Sequence, residues 1–259
     1  MSVLSVNLNK VALLRNSRDG QRPSVMEFAR LAIAAGAQGI TVHPRPDQRH
    51  IRASDVPALA TMLSAEYPHI EFNIEGNPVA DANASGYPGF ISLVQAAKPA
   101  QATLVPDSDD QLTSDHGWDL SVEQPQLREH IRQCQQAGAR VSLFMDPVVE
   151  QMASAADHGA DRVEFYTGPY AELCWQYGPD DKRTQDCFRQ FARAAEAALA
   201  VGLGINAGHD LDQQNLPLFA NLPGLAEVSI GHAIICEALT DGFSDTVAAY
   251  VAILNSTNG

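Results

Sequence analysis

Three histidines stand directly behind short, largely apolar runs: G-I-T-V-H (39–43), G-I-N-A-G-H (204–209) and V-S-I-G-H (228–232). Glu71, Glu75 and Glu164 alternate with apolar neighbours in similar runs, E-F-N-I-E and V-E-F. Imidazoles and carboxylates gathered around one pocket would move protons near neutral pH, which is general acid–base chemistry. Arg15, Arg18, Arg45 and Arg49 follow the first two apolar runs. A guanidinium grips phosphate with paired hydrogen bonds, so these arginines fit a substrate carrying more than one phosphate. The plainer readings are structural histidines, solvated loop arginines and, for Glu164, an ion-pair partner of an arginine. His43, His209 and His232 occupying equivalent places favours function.

The elements that must position these residues repeat one design. An Ala-rich helix end, a Gly and an apolar strand recur at AAGAQGITVH (34–43), QAGARVSLFM (136–145), DHGADRVEFY (157–166) and AVGLGINAGH (200–209). Gly closing a helix takes the left-handed conformation that turns the chain back into a strand. VLSVNLN (3–9), IEFNIE (70–75), ATLVP (102–106) and EVSIG (227–231) bring the strand count to eight. Stretches such as 24–36 and 183–202 repeat apolar residues every three to four positions, as helices do. Eight alternating β and α units predict a single (β/α)8 TIM barrel over residues 1–259. A doubly wound open sheet is the alternative, without a G-x-G-x-x-G after the first strand to support it. The segment NPVADANASGYPG (77–89) reads as a loop insertion.

Side chains alternate across a strand, so Leu4, Val6, Ile40, Val42, Phe72 and Ile74 form one set, and Ser5, Asn7, Thr41, His43, Glu71, Asn73 and Glu75 the other. The polar set would face the barrel interior, and a wet interior that holds a ligand is expected. The histidines then fall at the C-terminal strand ends, where barrel enzymes keep their sites. Position alone nominates Glu75, at its strand's end, over Glu71. Gly208 and Gly231 sit after the seventh and eighth strands, the usual phosphate site of this fold, where an anion meets free backbone N–H groups.

A formal net charge of −14 argues against nucleic acid or an anionic membrane as partner. No run reaches the length of a membrane span and the first residues do not resemble a signal peptide, so a cytoplasmic protein is expected. Cys134, Cys174, Cys187 and Cys236 form no C-x-x-C pair and are read as small buried hydrophobes.

V-N-L-N-K-V-A-L-L-R-N-S-R (6–18), G-I-T-V-H-P-R-P-D-Q-R-H-I (39–51), E-F-N-I-E-G (71–76), V-S-L-F-M-D (141–146), N-A-G-H-D-L (206–211) and S-I-G-H-A-I-I (229–235) together resemble the pyridoxine 5'-phosphate synthase family. The resemblance implies condensation of 1-deoxy-D-xylulose 5-phosphate with 3-amino-2-oxopropyl phosphate to pyridoxine 5'-phosphate, phosphate and water. It implies no cofactor, no metal and a homo-octamer. It assigns His43 and Glu71 as proton acceptors and His209 as proton donor, overriding the positional preference for Glu75. Asn7, Arg18, the backbone at His209 and Asp210, Gly231 and His232 would hold the aminoketone phosphate. Arg45, His50, Thr113 and the pair Asn9 and Lys10 would hold the deoxyxylulose phosphate. Glu164 has an open role, catalytic or supporting. Three positions depart from the family's pattern: Asn9-Lys10 stands for Asp-His, Tyr166 for a His and Asp210 for a Gly. Two other classes stay open: a metal-dependent barrel hydrolase or epimerase with His43, a glutamate and His209 as ligands, and a catalytically silent phosphate-binding barrel.

Overall fold

In the computed structural model, which describes residues 2–108 and 110–256, eight parallel strands close on themselves. They are β1 (Val3–Asn7), β2 (Gly39–Val42), β3 (Glu71–Gly76), β6 (Gln101–Leu104), β7 (Arg140–Met145), β8 (Arg162–Tyr166), β9 (Gly204–Gly208) and β10 (Leu225–Ile230). Two further short strands, β4 (Asp81–Ala82) and β5 (Pro88–Gly89), pair only with each other. Helices fill the connections, among them α1 (Asn9–Asn16), α2 (Val25–Ala34), α3 (Asp55–Glu66), α8 (Lys182–Ala200) and α10 (His232–Asp241). The expected TIM barrel is therefore the fold, and each expected strand segment overlaps one barrel strand. The segment 77–89 is a small hairpin rather than a bare loop. Asn83 and Ser85 donate to the carbonyl of Pro46 at 2.8 and 2.9 Å, bracing the connection after β2.

Register fixes which side chains meet. Ser5 lies beside Gly39, Thr41 beside Asn73, Glu75 beside Thr103 and Glu164 beside Asn206. The intervening residues Leu4, Ile40, Val42, Ile74, Val163 and Val228 are fully buried under the helices. Each such side chain contributes about 1.5–3 kcal/mol on burial, and this layer holds the helices to the barrel.

The interior departs from the expected wet lumen. Ser5 and Thr41 share a hydrogen bond of 2.7 Å, Asn73 donates to Thr41 at 3.3 Å, and the Thr103 hydroxyl lies 3.1 Å from Asn73 Oδ1 and 3.2 Å from Glu164 Oε2. Below them Arg162 donates to Asn206 at 2.8 Å, and Asn206 donates to Gln101 at 3.1 Å. Polar groups that satisfy one another offset the cost of leaving bulk water, and Ser5, Thr41, Asn73, Thr103 and Asn206 are buried in these layers. The inward side chains at the two ends of the barrel meet open space, Glu71 and Arg140 at the lower end and Glu75 and Glu164 at the upper.

Candidate active site

The upper open space is a cavity of about 370 Å³ at the C-terminal ends of the strands. Its size is that of pockets for small ligands, about 300–1,000 Å³. His43, His209, Asn7, Asn9, Lys10, Arg45, His50, Thr113, Asp210, Gly231, His232 and Glu164 all line it. Glu75, Ser229 and Phe144 join them.

Strand ends place several of these side chains. Asn7 ends β1, and its Oδ1 accepts the N–H of Asn9 at 2.9 Å. Asn9 Oδ1 in turn accepts the backbone N–H of His43 at 2.9 Å, tying the start of α1 to the end of β2. His43 is buried, with Nδ1 3.9 Å from Glu75 Oε2 and Nε2 3.8 Å from Asp107 Oδ2. Burial first, then Arg45 and His50, lower the His43 pKa well below its ordinary value, which favours the neutral ring.

Glu75 accepts from Asn7 Nδ2 and from the Ser229 hydroxyl, both at 3.4 Å. Burial, and then the Glu164 carboxylate, raise its pKa well above the usual carboxylate range. Glu164 is raised for the same reason, burial first and then its carboxylate neighbour Glu227. Two such acids side by side hold a proton that isolated carboxylates would release. Gly208 leaves the room for one of them: a Cβ there would collide with Glu164 Oε1.

Glu71 is not in this cavity. It begins β3, four residues below Glu75, and a strand rises about 3.3 Å per residue. There it pairs with Arg140, whose hydrogen bond is the first cause lowering its pKa. Glu71, the proton acceptor that the resemblance implied, therefore stands outside the cavity, and Glu75, which strand position nominated, lines it. Arg18 is likewise absent from the lining, exposed in the turn after α1, where its backbone N–H meets the carbonyl of Arg15. Arg15 is buried against Asp55 at 2.7 and 2.9 Å and braces α1 to α3.

Arg45 enters from the β2 side, held by the Asp107 carboxylate and by the carbonyl of Gln111 at 2.9 Å. Asp107 was not singled out in the sequence. Its Oδ2 also accepts the Ser114 hydroxyl at 2.8 Å, and its Oδ1 is buried without a hydrogen bond. Burial raises its pKa against the opposing pull of Arg45. His50 accepts the N–H of Ile51 at Nδ1, 2.9 Å, and burial, Arg45 and Lys10 push its pKa down to about 3.

On the far side of β1, Gly231 precedes α10 with no side chain capping it, so the helix opens its first N–H groups toward the cavity. A Cβ at Gly231 would sit 2.9 Å from that of Asn7, which keeps this approach clear. His209 and Asp210 both have left-handed backbones, φ 85° and 60°. Cys134 and Cys174 are buried as expected, but Cys187 is only partly covered and Cys236 is exposed, 3.5 Å from His232 Nε2. Among the described residues no three His, Cys, Asp or Glu side chains group as metal ligands. The ligand set of the hydrolase alternative is therefore not assembled.

The family model described as "Pyridoxal phosphate biosynthesis protein PdxJ" matches residues 4–256. A pyridoxine 5'-phosphate synthase of Xanthomonas oryzae pv. oryzae (strain MAFF 311018) is 56% identical over 255 residues, 98% of this chain and 97% of the relative. One from Xylella fastidiosa (strain M12) is 53% identical over 256 residues, 98% of this chain and 95% of the relative. Among solved structures, thiamine phosphate pyrophosphorylase from Pyrococcus furiosus aligns with a TM-score of 0.62 at 11% identity, covering 100% of this chain and 97% of the other. Phosphoribosyl anthranilate isomerase from Thermus thermophilus aligns with a TM-score of 0.56 at 17% identity, covering 99% of each. The two structures share the barrel fold with this chain.

Proposed function

The chain belongs to the PdxJ family of pyridoxal phosphate biosynthesis proteins, and from that membership we infer that it is the enzyme that closes the pyridoxine 5'-phosphate ring. The substrates are 1-deoxy-D-xylulose 5-phosphate and 3-amino-2-oxopropyl phosphate, and phosphate and water leave. The observation that carries this reading at the site is that His43, Glu75 and His209 border one cavity with anion-holding groups on both sides of β1.

Arg45, His50, Thr113, Asn9 and Lys10 serve the deoxyxylulose phosphate. Asn7, Gly231, His232 and the backbone of His209 and Asp210 serve the aminoketone phosphate, on the support of the uncapped α10 terminus. Arg18 joins this second set only if its turn folds toward the cavity on binding. Imine formation, loss of phosphate, addition of water and ring closure each move protons. Neutral His43 accepts a proton in these steps. Glu75, next to Glu164, takes or returns another, and His209 donates to the departing oxygen. Glu164 supports Glu75 by keeping one proton within the pair.

We further place the protein in the cytoplasm, which its four unpaired cysteines support, and propose assembly into a homo-octamer. The test of the reaction is stoichiometry: both substrates together release one phosphate per ring formed, and either alone releases none. Phosphate release from one substrate alone would favour the hydrolase class.

A further inference from the structure

We propose that Asp210 is a positioning residue that fixes the tautomer of His209, so that every proton this imidazole exchanges passes through Nε2. The inference rests on the reading of His209 as a proton donor. Neighbouring side chains on an extended strand point to opposite faces. Here the two consecutive left-handed residues turn the chain so that Asp210 Oδ2 lies 2.9 Å from His209 Nδ1.

The hydrogen bond to His209 holds the Asp210 carboxyl below its ordinary pKa, with His232 and Lys10 contributing. An ionised carboxylate only accepts, so Nδ1 carries the hydrogen. Nε2 lies 2.9 Å from the Thr113 hydroxyl and faces the cavity. The neutral ring accepts the Thr113 hydrogen at Nε2, and the protonated ring donates from that same atom. Tyr166 meets the ring edge-on, with centroids 5.1 Å apart at 74°. Thr167 donates to the carbonyl of Gly208 at 2.8 Å and contacts that of His209, which pins the turn. The charged and titratable groups facing the pair are Lys10 from α1, Tyr166 from β8 and His232 from α10, whose pKa burial lowers.

Histidines that exchange protons or bind metals commonly depend on such a partner for orientation.

The experiment combines nitrogen-15 NMR of histidine-labelled free enzyme with steady-state kinetics of Asp210→Gly and Asp210→Asn. His209→Asn identifies the His209 signal. Gly and Asn both tolerate the left-handed backbone, so the fold is retained, as unchanged melting curves will verify. Wild type is expected to show the Nδ1–H form. Asp210→Gly should shift the ring toward Nε2–H and lower kcat about tenfold, about 1.4 kcal/mol, with both KM values within about twofold of wild type. Asp210→Asn can present an amide N–H to Nδ1 and should fall at least as far. A wild-type ring protonated at Nε2, or kcat within about twofold in both variants, overturns the proposal. Failure of wild type to turn over the two ketones overturns the functional reading instead, and the free-enzyme spectrum still decides the tautomer.

Discussion

Exchanging Glu75 and Glu71 for glutamine, one at a time, separates the two carboxylates that share the inward face of β3. Glu75 is 8% exposed and stands at the cavity beside His43. Glu75→Gln keeps the volume and the contacts to Asn7 and Ser229 but removes the proton acceptor. Loss of a positioned acid–base group costs about 10²-fold or more in kcat, roughly 3 kcal/mol of barrier. The Glu71 side chain is 42% exposed and its partner Arg140 26%. A pair that open is worth about 0.2–1 kcal/mol, so Glu71→Gln should lower Tm by no more than about 3 °C and leave kcat within about twofold. The assay is formation of pyridoxine 5'-phosphate, with melting curves as the control for folding. A Glu71→Gln variant as inactive as Glu75→Gln, at unchanged Tm, would refute the placement of the acceptor.

Glu227→Gln should stabilise the barrel above neutral pH. Burial raises the Glu227 pKa from 4.5 to about 7, so the native state keeps a proton that the unfolded chain releases, and stability falls as pH rises between these values. The gain over wild type in urea unfolding should be absent near pH 4 and approach at most about 3 kcal/mol by pH 8; a pH-independent difference contradicts the argument. Lys10→Ala should raise KM for deoxyxylulose phosphate more than it lowers kcat, as a lost uniform-binding contact does, and a kcat loss at unchanged KM would put Lys10 in the chemistry. Dialysis against chelator should leave turnover intact, and activity lost and then restored by one divalent ion would refute that.

The barrel was legible because its determinants are local: Gly at four of the helix ends, a short apolar strand after each and a period-two alternation that placed Leu4 and Val6 outward and Ser5 and Asn7 inward. The histidines at strand ends were legible for the same reason. Glu71 and Glu75 were harder to separate, since residues four apart on a strand share a face and differ only in depth. Strand position favoured Glu75, and the family motif, which contains both, led away from it. Asp107 escaped notice because it lies just past its strand in the acidic stretch D-S-D-D, which reads as solvated surface. Its role depends on Arg45 and Ser114 reaching it from elsewhere in the chain. The packed polar interior could not be foreseen either, because hydrogen bonds such as Asn206 to Gln101 join residues 105 positions apart.

The central claim is that the cavity joins two phosphorylated ketones into one ring. Its most direct measurement is mass spectrometry of the product formed by the purified protein from carbon-13 deoxyxylulose 5-phosphate and unlabelled 3-amino-2-oxopropyl phosphate. The expected product is pyridoxine 5'-phosphate carrying the label of the first substrate and the nitrogen of the second. Substrates recovered unjoined under conditions where the folded protein is intact would contradict it.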